Sequence, residues 1–290
     1  MKNFFSLFIL TSFISFSQTK YEYFGALKLN GDERQIITYR IVFTEKKGVI
    51  EGYSITDIGG ENETKNNIVG SYNSKSNSFN FKELGILYTK SAISQDSFCF
   101  VNFVGKVKLG TQNSKVDGAF SGMFKNKTKC IDGKVSLVNL SKIEKKINTM
   151  NKKVRKSVFV DKETKAKVKS VSILDSLTVN SLKKDQNLNV FVYSKEINLE
   201  IWDTKIEDGD KIDLYHNGRK ILDYYTVLNK KKTIKIKLDD DKNVFRIEAI
   251  SEGERKMNTA KIHLIDDKRV FEMSTNLKKG EKASITIIKN

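Results

Sequence analysis

From residue 20 onward the chain is built of short runs in which apolar and polar positions alternate. "QIITYRIVF" (35–43) and "GVIEGYSITD" (48–57) are two such runs, separated by the turn-forming "TEKKG". A period of two places alternate side chains on opposite faces, so these runs predict half-buried strands. Residues 21–138 read almost entirely as strand and turn. Four of the runs share a local pattern of apolar residue, any residue, glycine: Ile50-x-Gly52, Ile68-x-Gly70, Val116-x-Gly118 and Ile131-x-Gly133. A glycine inside a strand marks a sharp bend or a close backbone approach. Four of them predict a strongly coiled antiparallel meander, curling towards a barrel or a tight sandwich, over residues 18–139. Tyr53, Tyr72, Phe120 and Phe124 are the bulky residues expected to fill its interior. The loop "SITDIGGENETK" (54–65) reads as an ordinary hairpin loop rather than a binding edge.

The last hundred residues (188–290) alternate again. Eight short runs, from "LNVFVYS" to "ASITIIK", are punctuated by "DGD", "HNG", "DDDKN", "SEGE" and "KKGE". Short strands at this regular spacing predict an immunoglobulin-like β-sandwich. Asp208-Gly209 and Asn217-Gly218 are turn dipeptides, because glycine accepts positive φ and the acid or amide caps its own backbone.

Between the two β regions the period changes. Leu140, Ile143, Ile147, Met150 and Val154 fall on one face of a helix, and Ser141 with Glu144 fits a capping box. Lysines fill the remaining faces. Residues 140–187 therefore read as a basic, partly helical linker, with "VDKETKAKVKS" (160–170) extended. The fold class expected is all-β, with two β domains joined by this linker.

Composition sharpens the picture in three places. At the N-terminus, Lys2 precedes "FFSLFILTSFISF", an apolar stretch shorter than the roughly 20 residues that cross a bilayer. Ser15 and Ser17 suit a cut before Gln18, so residues 1–17 read as a signal peptide and the protein as exported: periplasmic, on the surface, or outside the cell. No later stretch is apolar enough to span a membrane. Export makes disulfides possible, and the two cysteines, Cys99 and Cys130, are expected to pair. Charge is the third point. The chain carries a net +17, but residues 141–196 hold 14 basic and 6 acidic groups, nearly half of the excess in 56 residues. This concentration argues against nucleic acid as the partner. The helix reads first as a solvated one whose apolar stripe packs on its own neighbouring domain, and otherwise as a docking element for a polyanionic or glycan surface, or for a protein partner, through Lys145, Lys146, Lys152, Lys153, Arg155 and Lys156.

The densest chemical signal is "IWDTKIEDGDKIDLYHNGRKIL" (201–222). Most of its acids are accounted for by turn chemistry and by positions on the solvent face of a strand. Asp203, Asp208 and Asp210 are the alternative set, able to present oxygens to calcium, but their spacing is not that of an EF-hand loop, and no metal is favoured. His216 and His263 lie in strand runs without a nucleophile motif, and Trp202 reads as a core anchor. No catalytic constellation is found, so neither enzyme activity nor a cofactor is expected.

Trp202–Gly218, "WDTKIEDGDKIDLYHNG", resembles the C-terminal sandwich domain of a two-domain family of exported Bacteroidota proteins, whose core reads D-N-G-x-x-D-G-D. Asp203, Asp208, Gly209, Asp210 and Asn217 match; Thr204 and Lys205 depart. In "AISEGERKMNTA" (249–260), Ala249, Gly253, Asn258, Thr259 and Ala260 match a second motif of that family, though its two prolines are missing. Cys99, Cys130, Gly133, Val135 and Leu137 fit its N-terminal domain. The resemblance implies architecture and export, and no activity. The function expected is thus a non-catalytic binding or structural protein of the envelope or exterior. The alternatives are a small-molecule carrier using the N-terminal barrel-like domain, a glycan or cell-wall hydrolase, and a C-terminal domain that acts as an export address.

Overall fold

A computed structural model describes residues 19–31, 36–157, 159–161, 180–204, 207–251, 258–267 and 269–289. The signal-like segment 1–17 and nearly all of 160–170 lie outside the described residues.

The N-terminal half forms eight strands: β1 (Lys20–Leu29), β2 (Ile36–Lys46), β3 (Val49–Thr56), β4 (Thr64–Asn73), β5 (Ser78–Thr89), β6 (Phe100–Lys106), β7 (Lys115–Met123) and β8 (Lys129–Asn139). Each pairs antiparallel with the next, and β8 returns to pair with β1, so the meander closes into an up-and-down barrel. Closure leaves these strands without a long free edge. The interior is packed. Tyr23, Phe43, Phe79 and Phe103 are buried, with the Phe43 and Phe79 ring centroids 5.1 Å apart and those of Phe79 and Phe103 5.8 Å apart. Each such side chain contributes roughly 1.5–3 kcal/mol on burial. The glycine pattern has its expected cause. At Gly52 and Gly118 a Cβ would run into the carbonyl oxygen of Val42 or Val104 on the neighbouring strand. Of the four residues expected inside, Phe120 joins the interior, Tyr72 lies half-buried against it, and Phe124 falls just beyond β7. Tyr53 faces outward and packs on the sandwich core, because it sits one position from Gly52 and so on the opposite strand face.

The sandwich comprises β9 (Asn180–Leu182), β10 (Asn187–Val192), β11 (Glu196–Trp202), β12 (Lys211–His216), β13 (Arg219–Thr226), β14 (Lys232–Lys237), β15 (Lys242–Ala249), β16 (Lys261–Asp266), β17 (Arg269–Thr275) and β18 (Lys282–Lys289). One sheet runs β13-β12-β15-β18-β10 and the other β14-β11-β16-β17-β9. The sequence reading misses β9, which is only three residues long, and β17, whose run "RVFEMST" is broken by polar residues. Ile201, Leu214, Phe245, Ile262 and Ile285 are among the fully buried residues between the sheets.

The two halves share one hydrogen-bonded sheet. β10 pairs with the end of β5 through Asn189↔Thr89 and Val190↔Tyr88. Two register shifts near this end of β5 are β-bulges, which re-aim side chains. Leu87 and Tyr88 there belong to the sandwich core.

An α-helix, α1 (Leu140–Lys156), follows β8 directly. Its N-cap is Asn139, whose Oδ1 accepts the Ser141 N–H at 3.0 Å. Ser141 is therefore inside the helix, and the capping box read from the sequence is not the one used. Only Leu140 of the helix is buried.

Candidate functional site

The basic linker residues gather on α1. Lys142, Lys145, Lys146, Lys152, Lys153, Arg155 and Lys156 face Glu144 as the helix's only acid. Among the described residues, none of the seven forms an ion pair with a carboxylate; Lys145 Nζ instead donates to Gln112 Oε1 at 2.5 Å. On the apolar stripe, Ile143, Ile147 and Val154 are only half-buried and Met150 is 63% exposed. The stripe is therefore not consumed by packing on the barrel. A shallow groove of about 470 Å³ between α1 and the 112–113 loop is lined by Lys142, Lys145, Lys146 and Met150.

The acidic stretch departs from its sequence reading. Asn217 (φ 48°) and Gly218 (φ 82°) do make the tight β12–β13 turn. β11 and β12, however, lie in different sheets, so the stretch that crosses between them is not a hairpin. The acids are also less exposed than expected: Asp203, Asp210 and Asp213 are all buried. Burial opposes ionisation of Asp213, but Lys220 at 2.6 Å and the Tyr224 amide at 2.7 Å outweigh it and hold its carboxyl below the usual range. Asp210 Oδ2 accepts the Thr259 N–H at 2.8 Å, which fastens the 258–260 segment to the crossing. Asp203, Asp208 and Asp210 do converge, with one oxygen from each within 4.8 Å of the others, and Asp208 Oδ1 is buried without a hydrogen-bond partner. Such a trio fits part of a hard-cation shell of six to eight oxygens. The work visible in it is structural.

Trp202 is not a core anchor. It lies half-buried on the outer face of its sheet, edge-on to His263 at 4.5 Å, with Lys231 Nζ 4.5 Å from its ring. His263 is kept below its ordinary pKa, mainly by burial.

Two buried acids belong to the barrel wall. Glu83 accepts the hydroxyls of Tyr39 (2.9 Å) and Ser54 (2.5 Å) and the Val101 N–H (2.8 Å), and burial raises its pKa. Glu63 accepts the Tyr88 hydroxyl and the Gly59 N–H, with Lys90 at 3.7 Å. The bond from Tyr88 of β5 to Glu63 ties the 54–65 loop to the barrel wall. Both acids are occupied by the fold.

The expected disulfide is present, Cys99–Cys130, with Cα atoms 6.1 Å apart. It spans β7 from the start of β6 to β8, and a Cβ at Gly122 would strike the Cys99 sulfur.

What sequence reasoning missed is a cleft of about 550 Å³ where barrel meets sandwich, lined from both halves. Its residues are far apart in sequence, and the bulged end of β5 that shapes it leaves no periodic signal. No helix among the described residues is long and apolar enough to cross a membrane. Compared with family models, curated proteins and solved structures, the chain matches none.

Proposed function

We propose that the protein is an exported, non-catalytic binding protein of the cell envelope or exterior that holds a polyanionic surface through α1. The observation that carries this is the helix itself: seven cations against one acid, with an apolar stripe left open to solvent. A helix of this kind lies along an anionic surface, its charges drawing it in and its stripe settling at the boundary. The signal-like N-terminus and the disulfide support export. The packed barrel interior favours this reading over a small-molecule carrier.

The test is charge reversal at four exposed positions, Lys145→Glu, Lys146→Glu, Lys152→Glu and Lys153→Glu, made together. The native chain is expected to co-sediment with vesicles containing phosphatidylglycerol and to stay free of pure phosphatidylcholine vesicles. The variant should lose the anionic binding while keeping its circular dichroism spectrum. Retained binding would refute the role of α1.

A further inference from the structure

The geometry points to the cleft between barrel and sandwich as a second binding site, one for an acidic oligosaccharide. It goes beyond the surface docking of α1, shares none of its residues, and stands or falls separately.

The cleft has a floor, a platform and two cations. On the barrel side the bulged end of β5 turns Leu84 outward, 55% exposed, while Gly85 leaves open space where a side chain would stand. On the sandwich side Tyr193 is 70% exposed, yet its surroundings are fixed. The carboxylate of Asp266, its side chain only 1% exposed, accepts the Tyr193 N–H at 3.4 Å and the Ser194 N–H at 3.2 Å and also pairs with Arg269. The Arg269 guanidinium in turn lies 4.8 Å from the Tyr193 ring centroid. One buried acid thus positions both the ring and the arginine at the cleft wall, the kind of pre-organisation that lowers the cost of binding.

The polar lining names the ligand class. Asn67 and Gln95 line the cleft with side-chain amides that form no hydrogen bond among the described residues. Lys125 faces the cleft held only by an exposed pair with Asp96 at 3.5 Å, a contact worth little in water and easily exchanged. No carboxylate is among the described lining residues, although Asp96 and Asp266 stand behind the two cations as their partners. A pyranose ring has an apolar C–H face that settles on an aromatic ring and an equatorial belt of hydroxyls that planar amides bind. A carboxylated or sulfated sugar adds the charge that Lys125 and Arg269 complement. At about 550 Å³ the cleft lies within the range of small-ligand sites.

The experiment is isothermal titration of the native chain with tri-galacturonate, with the neutral galactose trimer and tetra-glutamate as controls. We expect saturable binding of tri-galacturonate that Tyr193→Ala weakens by about tenfold, the equivalent of about 1.4 kcal/mol, and that Lys125→Ala also weakens. Both positions are exposed enough for the variants to fold, which matching thermal melts verify. The four-lysine reversal in α1 should leave this affinity unchanged. No binding of the acidic trimer, or binding indifferent to both cleft variants, would overturn the site. Equal affinity for the neutral trimer would overturn the charge recognition, and tighter binding of tetra-glutamate would overturn the carbohydrate assignment.

Discussion

Val190 of β10 stands in antiparallel register with Tyr88 of β5, and through that pairing the barrel wall continues into the sandwich as one sheet. Tyr88 secures the seam twice over: its hydroxyl donates to Glu63 at 2.9 Å, and its ring belongs to the sandwich core. Two domains joined in this way should unfold together. Trp202 is the only tryptophan and lies in the sandwich, so its fluorescence reports that half while far-ultraviolet circular dichroism reports both. The two urea transitions should coincide; separate midpoints would show that the seam does not couple them.

Lys65 gives the seam a pH signature. It packs over the Tyr53 ring at 3.8 Å, and burial, with Arg40 nearby, lowers its pKa to about 8. The folded state therefore binds fewer protons than the unfolded chain between pH 8 and the ordinary 10.5. Stability must rise across that window, and the cost of the buried charge is fully present below it. Lys65→Met should raise the melting temperature at pH 7 by ~2–4 °C, the shift that about 1 kcal/mol produces in a domain of 150–250 residues. The gain should shrink at pH 10. A gain independent of pH would assign the effect to packing alone.

The disulfide closes a loop with a sequence separation of 31. Replacing both cysteines with serine should cost about 3–4 kcal/mol by the loop-entropy relation, read as a lowered urea midpoint. A midpoint unchanged in the double variant would contradict that cost.

Gly118→Val should be among the most damaging single changes in the barrel, costing more than ~3 kcal/mol, since the new side chain meets the Val104 carbonyl and the Phe103 ring. Loss of soluble protein, or a large drop in melting temperature, is the expected result; a native melt would show that the strands can part there.

That glycine was legible beforehand, as were the disulfide, the helix and most of the strands, because each rests on a local period or a residue type with one physical use. Gly52, Gly70, Gly118 and Gly133 announced the coiling before any strand partner was known. The closure of β8 onto β1 and the β5–β10 seam were not legible, since pairing between distant strands leaves no mark on either. The burial of Asp210 is illegible for a related reason. Turn chemistry explains an acid beside glycine equally well whether it faces water or, as here, is buried against the Thr259 amide. The cleft was hidden altogether, because Tyr193 and Arg269 owe their positions to Asp266 and not to any motif of their own.

The binding proposed for α1 works by charge, so it must depend on salt. Binding of the native chain to phosphatidylglycerol vesicles should fall steeply as ionic strength rises from about 0.01 M to 0.15 M, where the screening length shortens from about 30 to 8 Å. A dissociation constant that stays flat across that range would contradict the claim.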